Sequence, residues 1–142
     1  SREKIIQAAY DLEADYTESD YEGAFRFLNT VLRKRTLLIL LTTIIDDRTA
    51  EMVQAYLGTL SGKHLPFAVT LNPPDLYHSL DHPPTSVDEA FYQSSVADYL
   101  LWKSELHQKL KNRGVLVMDT LPEELNAGII NEYLRIKARN LL

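Results

Sequence analysis

The sequence predicts an α/β domain in which a parallel, Rossmann-like sheet carries helices on both faces. Three segments have the composition of strands, residues 36–43, 65–71 and 115–118, and a helix-length segment follows each of the first two. Strands that alternate with helices usually pair in parallel, because a parallel crossover needs about a dozen residues or more. The first strand is a continuous apolar run, which is typical of a strand that is covered on both faces.

Two helices are predicted before the first strand. Apolar residues recur at helical spacing from Ile5 to Leu12, and a second apolar stripe follows. Ser19 and Glu22 have the spacing of a capping box, so Ser19 is expected to begin the second helix. The basic run at residues 33–35 is expected to close it, since cations are favoured at the carboxyl end of a helix.

The centre of the chain predicts one helix and one loop. Asp46 and Asp47 can cap a helix that ends at Ser61 and Gly62, where the glycine is expected to be left-handed. Residues 72–84 contain four prolines in thirteen positions. This segment is therefore predicted to be a loop that contains no helix.

The last part of the chain predicts a long helix, the third strand and a final helix. Ser86 and Glu89 form a second capping box, and the helix continues until Gly114 closes it. Thr120 and Glu123 are expected to cap the final helix, whose apolar residues again recur at helical spacing.

The composition excludes several classes of function. Lys and Arg number 15 against 20 Asp and Glu, a formal net charge of −5 that argues against a nucleic-acid interface. The chain has no cysteine, which excludes disulfides, thiolate metal sites and thiol catalysis. Its longest apolar run, residues 36–45, is too short to cross a bilayer. No secretory leader is visible before the first helix, and the Ser1 start is expected to reflect processing or a partial chain.

Two groups of residues are candidates for a chemical site. The proline-rich segment offers two imidazoles and two carboxylates to a transition metal, in Asp75, His78, Asp81 and His82. The alternative for this segment is a solvated or partner-contacting loop. Asp119 ends the third strand at the edge where α/β proteins bind ligands, although the adjacent Thr120 favours a capping role for it. No serine elbow or glycine-rich phosphate loop is present, so spacing alone assigns no function.

Four segments of the chain resemble one bacterial family. They are residues 18–21, the basic-then-apolar residues 33–42, residues 114–119, and residues 131–139 with the pattern Asn-x-Tyr-Leu-x-x-Lys-Ala-Arg. They are similar, in the same order, to domain-of-unknown-function family fifty-eight, whose members resemble von Willebrand factor A domains and usually carry membrane helices near the N-terminus. The likeness corresponds to the C-terminal half of that domain. It implies that residues 1–142 form a single unit that is a fragment of a larger von Willebrand factor A-like domain protein, on the cytoplasmic side and anchored through upstream helices.

The resemblance also implies a metal site that this chain carries only in part. In the von Willebrand factor A fold, oxygen ligands hold a magnesium ion. They come from an Asp-x-Ser-x-Ser loop, a later threonine and an aspartate after the fourth strand. The loop is not in this sequence, and Thr43 stands where that aspartate is expected. Thr43 and Asp46 remain weak candidate ligands, and we expect no metal to bind here.

The resemblance favours a non-enzymatic protein-interaction module that works with a MoxR-type AAA+ ATPase in assembling other complexes. The alternative is a metal-dependent hydrolase that uses Asp46, Asp119 and the loop histidines, His78 and His82. The first strand offers a surface for a partner, because residues 37–41 carry no charge or proline that would protect an edge. We expect two copies to pair through this edge, or to exchange segments, as a homodimer. The alternative is that the two N-terminal helices fold over the edge and cover it.

Overall fold

Three parallel strands form the centre of the molecule. The computed structural model describes residues 2–10, 12–13, 17 and 19–142. Strands β1 (Leu37–Thr42), β2 (Leu65–Leu71) and β3 (Leu116–Thr120) form a sheet in that order, and both neighbouring pairs are parallel. The predicted α/β class, strand direction and strand order are confirmed.

Six helices and one 3-10 turn accompany this sheet in the described part of the chain. The helices are α1 (Arg2–Tyr10), α2 (Tyr21–Val31), α3 (Asp47–Leu60), α4 (Pro74–His78), α5 (Val87–Asn112) and α6 (Leu125–Ala138), and the turn is Pro122–Glu124. The first helix ends two residues before Leu12, where the apolar spacing predicted its end. Glu18 and the side chain of Ile5, which both entered the sequence predictions, lie outside the described residues.

One face of the sheet packs into the main hydrophobic core. Leu38 and Leu40 of β1, Ala68 of β2 and Val117 of β3 share this face, because strand side chains alternate with a period of two. Helices α2, α3 and α5 cover the face with the buried side chains Phe25, Ala50, Val53, Leu57, Leu60, Leu106 and Leu110.

Helix α6 lies on the opposite face of the sheet. Phe67 and Val69 of β2 point to this face and are fully buried. Gly128 of α6 approaches β3 so closely that a Cβ atom there would lie 3.0 Å from Met118 Sδ. Helices therefore flank the sheet on both faces, as predicted.

The start and the end of α2 differ from the prediction. Asp20, not Ser19, is the N-cap, and its carboxylate accepts a hydrogen bond from the N–H of Gly23 at 2.8 Å. A carboxylate at this position also interacts favourably with the helix dipole, which gives it an advantage over the serine hydroxyl. The helix ends at Val31, so the basic residues 33–35 lie beyond it and do not close it.

The predicted caps of α3 and α5 are present. Asp46 accepts a hydrogen bond from the N–H of Thr49 at 2.8 Å, and Ser86 accepts one from the N–H of Glu89 at 3.1 Å. Gly114 follows α5 with a φ of 79°, in the left-handed region. These local signals therefore fix the ends of α3 and α5, two of the three helices that pack on the main core.

Two predictions about turns are wrong. Gly62 has no positive φ, and Ser61 ends α3 in a right-handed conformation. The proline-rich segment contains the short helix α4, which begins at Pro74. Proline is tolerated in the first turn of a helix, because its missing N–H would have no partner there in any case.

The predicted cap of the last helix is also wrong. Thr120 is the final residue of β3, and its hydroxyl is directed at the carbonyl of Leu121. Pro122 then begins the 3-10 turn, and α6 starts at Leu125 without a side-chain cap. The strand is longer than predicted and takes up the residues that were expected to form the cap.

Candidate functional site

Four polar side chains meet at the carboxyl edge of the sheet. Thr70 and Asn72 come from the end of β2, Asp119 comes from β3, and Lys103 reaches them from α5. Lys103 is only 2% exposed. We call these four residues the Asp119 cluster.

Hydrogen bonds connect all members of the Asp119 cluster. Lys103 Nζ lies 2.7 Å from Asp119 Oδ1 and also donates to Asn72 Oδ1. Thr70 Oγ1 donates to Asp119 Oδ1, and Asn72 Nδ2 donates to Asp119 Oδ2, both at 2.6 Å. A buried ammonium group is tolerated only when it is paired and hydrogen-bonded, and this arrangement supplies both requirements.

Asp119 is held in its charged form. Burial alone would raise its pKa, but the hydrogen bonds from Lys103, Thr70 and Asn72, together with the charge of Lys103, outweigh burial and lower the pKa below 3.8. The carboxylate therefore remains ionised at neutral pH and neutralises the buried ammonium group.

His107 extends the cluster on the side of α5. Its Nε2 lies 3.1 Å from Thr70 Oγ1. Since the single O–H of Thr70 donates its hydrogen bond to Asp119, we infer that Nε2 is the protonated ring nitrogen and donates to Thr70 Oγ1. Burial lowers the pKa of His107, and the charges of Lys103 and Lys111 lower it further against the opposing effect of Asp119. The imidazole is therefore neutral at pH 7.

Tyr77 of α4 covers the other side of the carboxylate. Its hydroxyl accepts a hydrogen bond from Asn72 Nδ2 at 2.7 Å and lies 3.4 Å from Asp119 Oδ2, which is a long contact. Burial and the charge of Asp119 raise the pKa of Tyr77. The hydroxyl therefore keeps its proton and can donate it.

Two adjoining cavities share Tyr77 and Asp119 as wall residues. One has a volume of about 270 Å³ and is lined by Tyr77, Leu100, Lys103, Ser104, His107 and Asp119. The other, of about 340 Å³, lies toward the 3-10 turn, and His78, Glu123 and Glu124 contribute to its walls. We call the first of these the α5 cavity.

The structure corrects the role that the sequence favoured for Asp119. Its carboxylate caps no helix and instead accepts hydrogen bonds from β2 and α5. The missed partner is Lys103, which follows Val96 by seven residues and precedes Leu110 by seven, on the buried face of α5. A lysine on an apolar helical face is the sequence signal that could have revealed the site.

The remaining predicted ligands are dispersed. Asp46 is the N-cap of α3, and hydrogen bonds from the backbone and side chain of Thr49 lower its pKa. Thr43 borders a separate apolar cavity with Ile45 and Leu76.

The loop histidines also separate. His78 Nδ1 lies 3.4 Å from Asp81 Oδ2, whereas His82 Nδ1 lies 3.6 Å from Glu89 Oε1. Only His78 reaches a cavity that Asp119 also lines. Within the described ranges, no three His, Asp or Glu side chains are grouped so that they could hold a metal ion.

A second feature is the exposed side of β1. This strand lies at the edge of the sheet, and none of the described strands pairs with its outer side. Ile39 is 41% exposed and Leu41 is 51% exposed, on the face opposite the main core. We call the row Leu37, Ile39 and Leu41, together with the free strand edge, the β1 surface.

Comparison of the chain with protein-family models, with curated proteins and with solved structures finds no match. In the part of the chain that the structure describes, no helix combines the length and the apolar character needed to span a membrane.

Proposed function

We propose that this chain is a non-enzymatic protein-interaction module that associates with a second copy of itself through the β1 surface. The observation that carries the proposal is the exposure of Ile39 and Leu41 on an edge strand. Natural sheet edges are usually protected by charges, prolines or bulges, and β1 has neither a charge nor a proline. Burial of such apolar side chains together with the pairing of free backbone groups favours association.

The sequence of β1 supports a second copy as the partner. Residues 37–41 read Leu-Leu-Ile-Leu-Leu, which is the same in both directions. In an antiparallel pair centred on Ile39, Leu37 of each copy lies opposite Leu41 of the other, and Ile39 lies opposite itself. All of these side chains point to the same face of the joined sheet, because directly opposite residues in paired strands lie on the same face and side chains alternate along each strand. A two-fold axis through Ile39 would thus join two sheets into one and continue the apolar row.

Cysteine cross-linking tests this arrangement directly, because the chain contains no cysteine. Opposite residues in antiparallel strands have Cα atoms about 4.5–5.5 Å apart. This separation lies within the about 4.4–6.8 Å that a disulfide accepts. The single variant Ile39→Cys should therefore form a covalent dimer under mild oxidation.

The matched control for cross-linking is Ile130→Cys on α6. Ile130 is 58% exposed and lies on a helix, so its thiol is accessible but has no symmetric partner in the proposed dimer. Equal yields of cross-linked dimer from both variants would indicate random collision and would contradict pairing through β1.

The family resemblance adds a MoxR-type AAA+ ATPase as a heterologous partner. Here the support is the similarity of the sequence segments, together with an exposed surface that can receive another protein. A purified ATPase of this type should be retained by the immobilised chain. If the ATPase is not retained, or if an excess of free chain does not release it, this partner is removed from the proposal. Self-association is tested separately, by the cross-linking experiment.

A further inference from the structure

We propose that the α5 cavity binds a small, neutral, polyhydroxylated ligand of the size of a monosaccharide. The site lies where parallel α/β sheets commonly place ligands, beyond the carboxyl ends of the strands. Its volume of about 270 Å³ suits a compact ligand rather than a nucleotide or a long chain.

The carboxylate of Asp119 has room for one further donor. Its Oδ1 atom already receives short hydrogen bonds from Lys103 and Thr70. Its Oδ2 atom receives one short bond from Asn72, while the Tyr77 hydroxyl is 3.4 Å away. A ligand hydroxyl can donate a hydrogen bond to Oδ2 and accept one from the Tyr77 hydroxyl at the same time, because one hydroxyl is both donor and acceptor.

The other walls of the α5 cavity offer both donors and acceptors. Ser104 Oγ and His107 Nδ1 make no hydrogen bond to any described residue, and both residues line the cavity. With Nε2 protonated, Nδ1 of His107 is a hydrogen-bond acceptor, whereas the Ser104 hydroxyl can donate or accept a hydrogen bond. Leu100 and the ring of Tyr77 add apolar surface that suits the C–H groups of a sugar ring.

The charge of the α5 cavity favours a neutral ligand. Its walls carry one ammonium group, on Lys103, and one carboxylate, on Asp119, and these two groups already neutralise each other. A phosphate or carboxylate ligand would face Asp119, and an ammonium ligand would face Lys103. Hydroxyl groups match the mixture of donors and acceptors without introducing a charge.

Ligand-observed NMR with D-glucose, D-ribose and myo-inositol at millimolar concentration tests the proposal on the complete chain. We expect saturable binding of at least one of these probes. Glucosamine and glucuronate, the cationic and anionic counterparts of glucose, should bind more weakly than the neutral compound.

Two conservative variants locate the binding. Tyr77→Phe and Ser104→Ala leave the Lys103–Asp119 pair intact, and each should weaken binding roughly three- to tenfold through the loss of one hydrogen bond. Ser94→Ala is the matched control on the same helix but outside the α5 cavity, and it should leave the affinity unchanged. Absence of saturable binding of all three neutral probes, preference for a charged counterpart, or unchanged affinity in both cavity variants would overturn the proposal.

Discussion

Lys103 is buried more deeply than its ion-pair partner Asp119 and therefore depends more on the pair for a counter-charge. Lys103 is 2% exposed at its side chain, whereas Asp119 is 29% exposed. The substitution Asp119→Asn leaves an ammonium group in the core without a counter-charge and should lower the free energy of unfolding by roughly 3–5 kcal/mol. Urea denaturation followed by circular dichroism measures this change.

The double variant Lys103→Met/Asp119→Asn is the control for this prediction. Methionine removes the buried charge and retains an apolar stem of similar length, so the double variant should be more stable than Asp119→Asn alone. A double variant that is less stable than Asp119→Asn would show that the packing of the lysine stem matters more than its charge.

The lowered pKa of His107 should make the free energy of unfolding depend on pH. Its pKa is lowered below 6.5 in the folded protein, so acid protonates the unfolded chain first. The stability that comes from the neutral imidazole is complete above pH 6.5 and declines as the pH falls below that value. His107→Gln should therefore flatten the decline in unfolding free energy that begins as the pH falls below about 6.5.

Asp119, whose pKa is lowered in the folded protein, contributes to the acid limb below this range. Its contribution is present above the unfolded pKa and is lost as the pH falls through the folded value. The His107→Gln variant should keep this lower limb. An unchanged slope immediately below about pH 6.5 in that variant would exclude His107 as the source of the upper limb.

At the scale of elements, two glycines that both follow helices should respond differently to alanine. Gly114 has a φ of 79°, whereas Gly62 has no positive φ, and a Cβ atom added at Gly62 would meet no described atom within 4 Å. Gly114→Ala should therefore cost about 1–2 kcal/mol of unfolding free energy. Gly62→Ala should be neutral or slightly stabilising. Thermal unfolding compares the two, and an equal loss in both variants would contradict this assignment of backbone conformation.

The sequence predicts the strands and long helices well because their signals extend over many residues. The apolar run of β1 and the periodic stripe of α3 are of this kind. Cap positions are predicted less well, since neighbouring residues compete for the same N–H groups. Asp20 takes the cap expected of Ser19, and the extension of β3 through Thr120 removes the cap expected for α6.

At the scale of the whole molecule, the Asp119 cluster could not be located from sequence spacing. Thr70 and Asp119 are 49 positions apart, and only the register of β2 with β3 places them opposite each other. Lys103 joins them because α5 crosses back over the sheet with one apolar face inward. Sequence patterns identified Asp119 as a candidate, but the side chains that surround it depend on tertiary packing.

The β1 surface, in contrast, was predicted from the sequence as an unprotected edge. The structure places β1 at the edge of the described sheet and leaves Ile39 and Leu41 exposed. The prediction succeeds because the absence of charge and proline is visible in a short segment. Self-association through this edge remains a prediction.

Light scattering coupled to gel filtration tests the central claim, which is that two copies associate through β1. The unaltered chain should show the mass of two chains at tens of micromolar, and Ile130→Lys, which adds a charge at an exposed position on α6, should show the same mass. Ile39→Lys should show the mass of one chain, because it places two ammonium groups opposite each other at the two-fold axis. A single-chain mass for the unaltered protein, or a two-chain mass that persists in Ile39→Lys, would contradict the account.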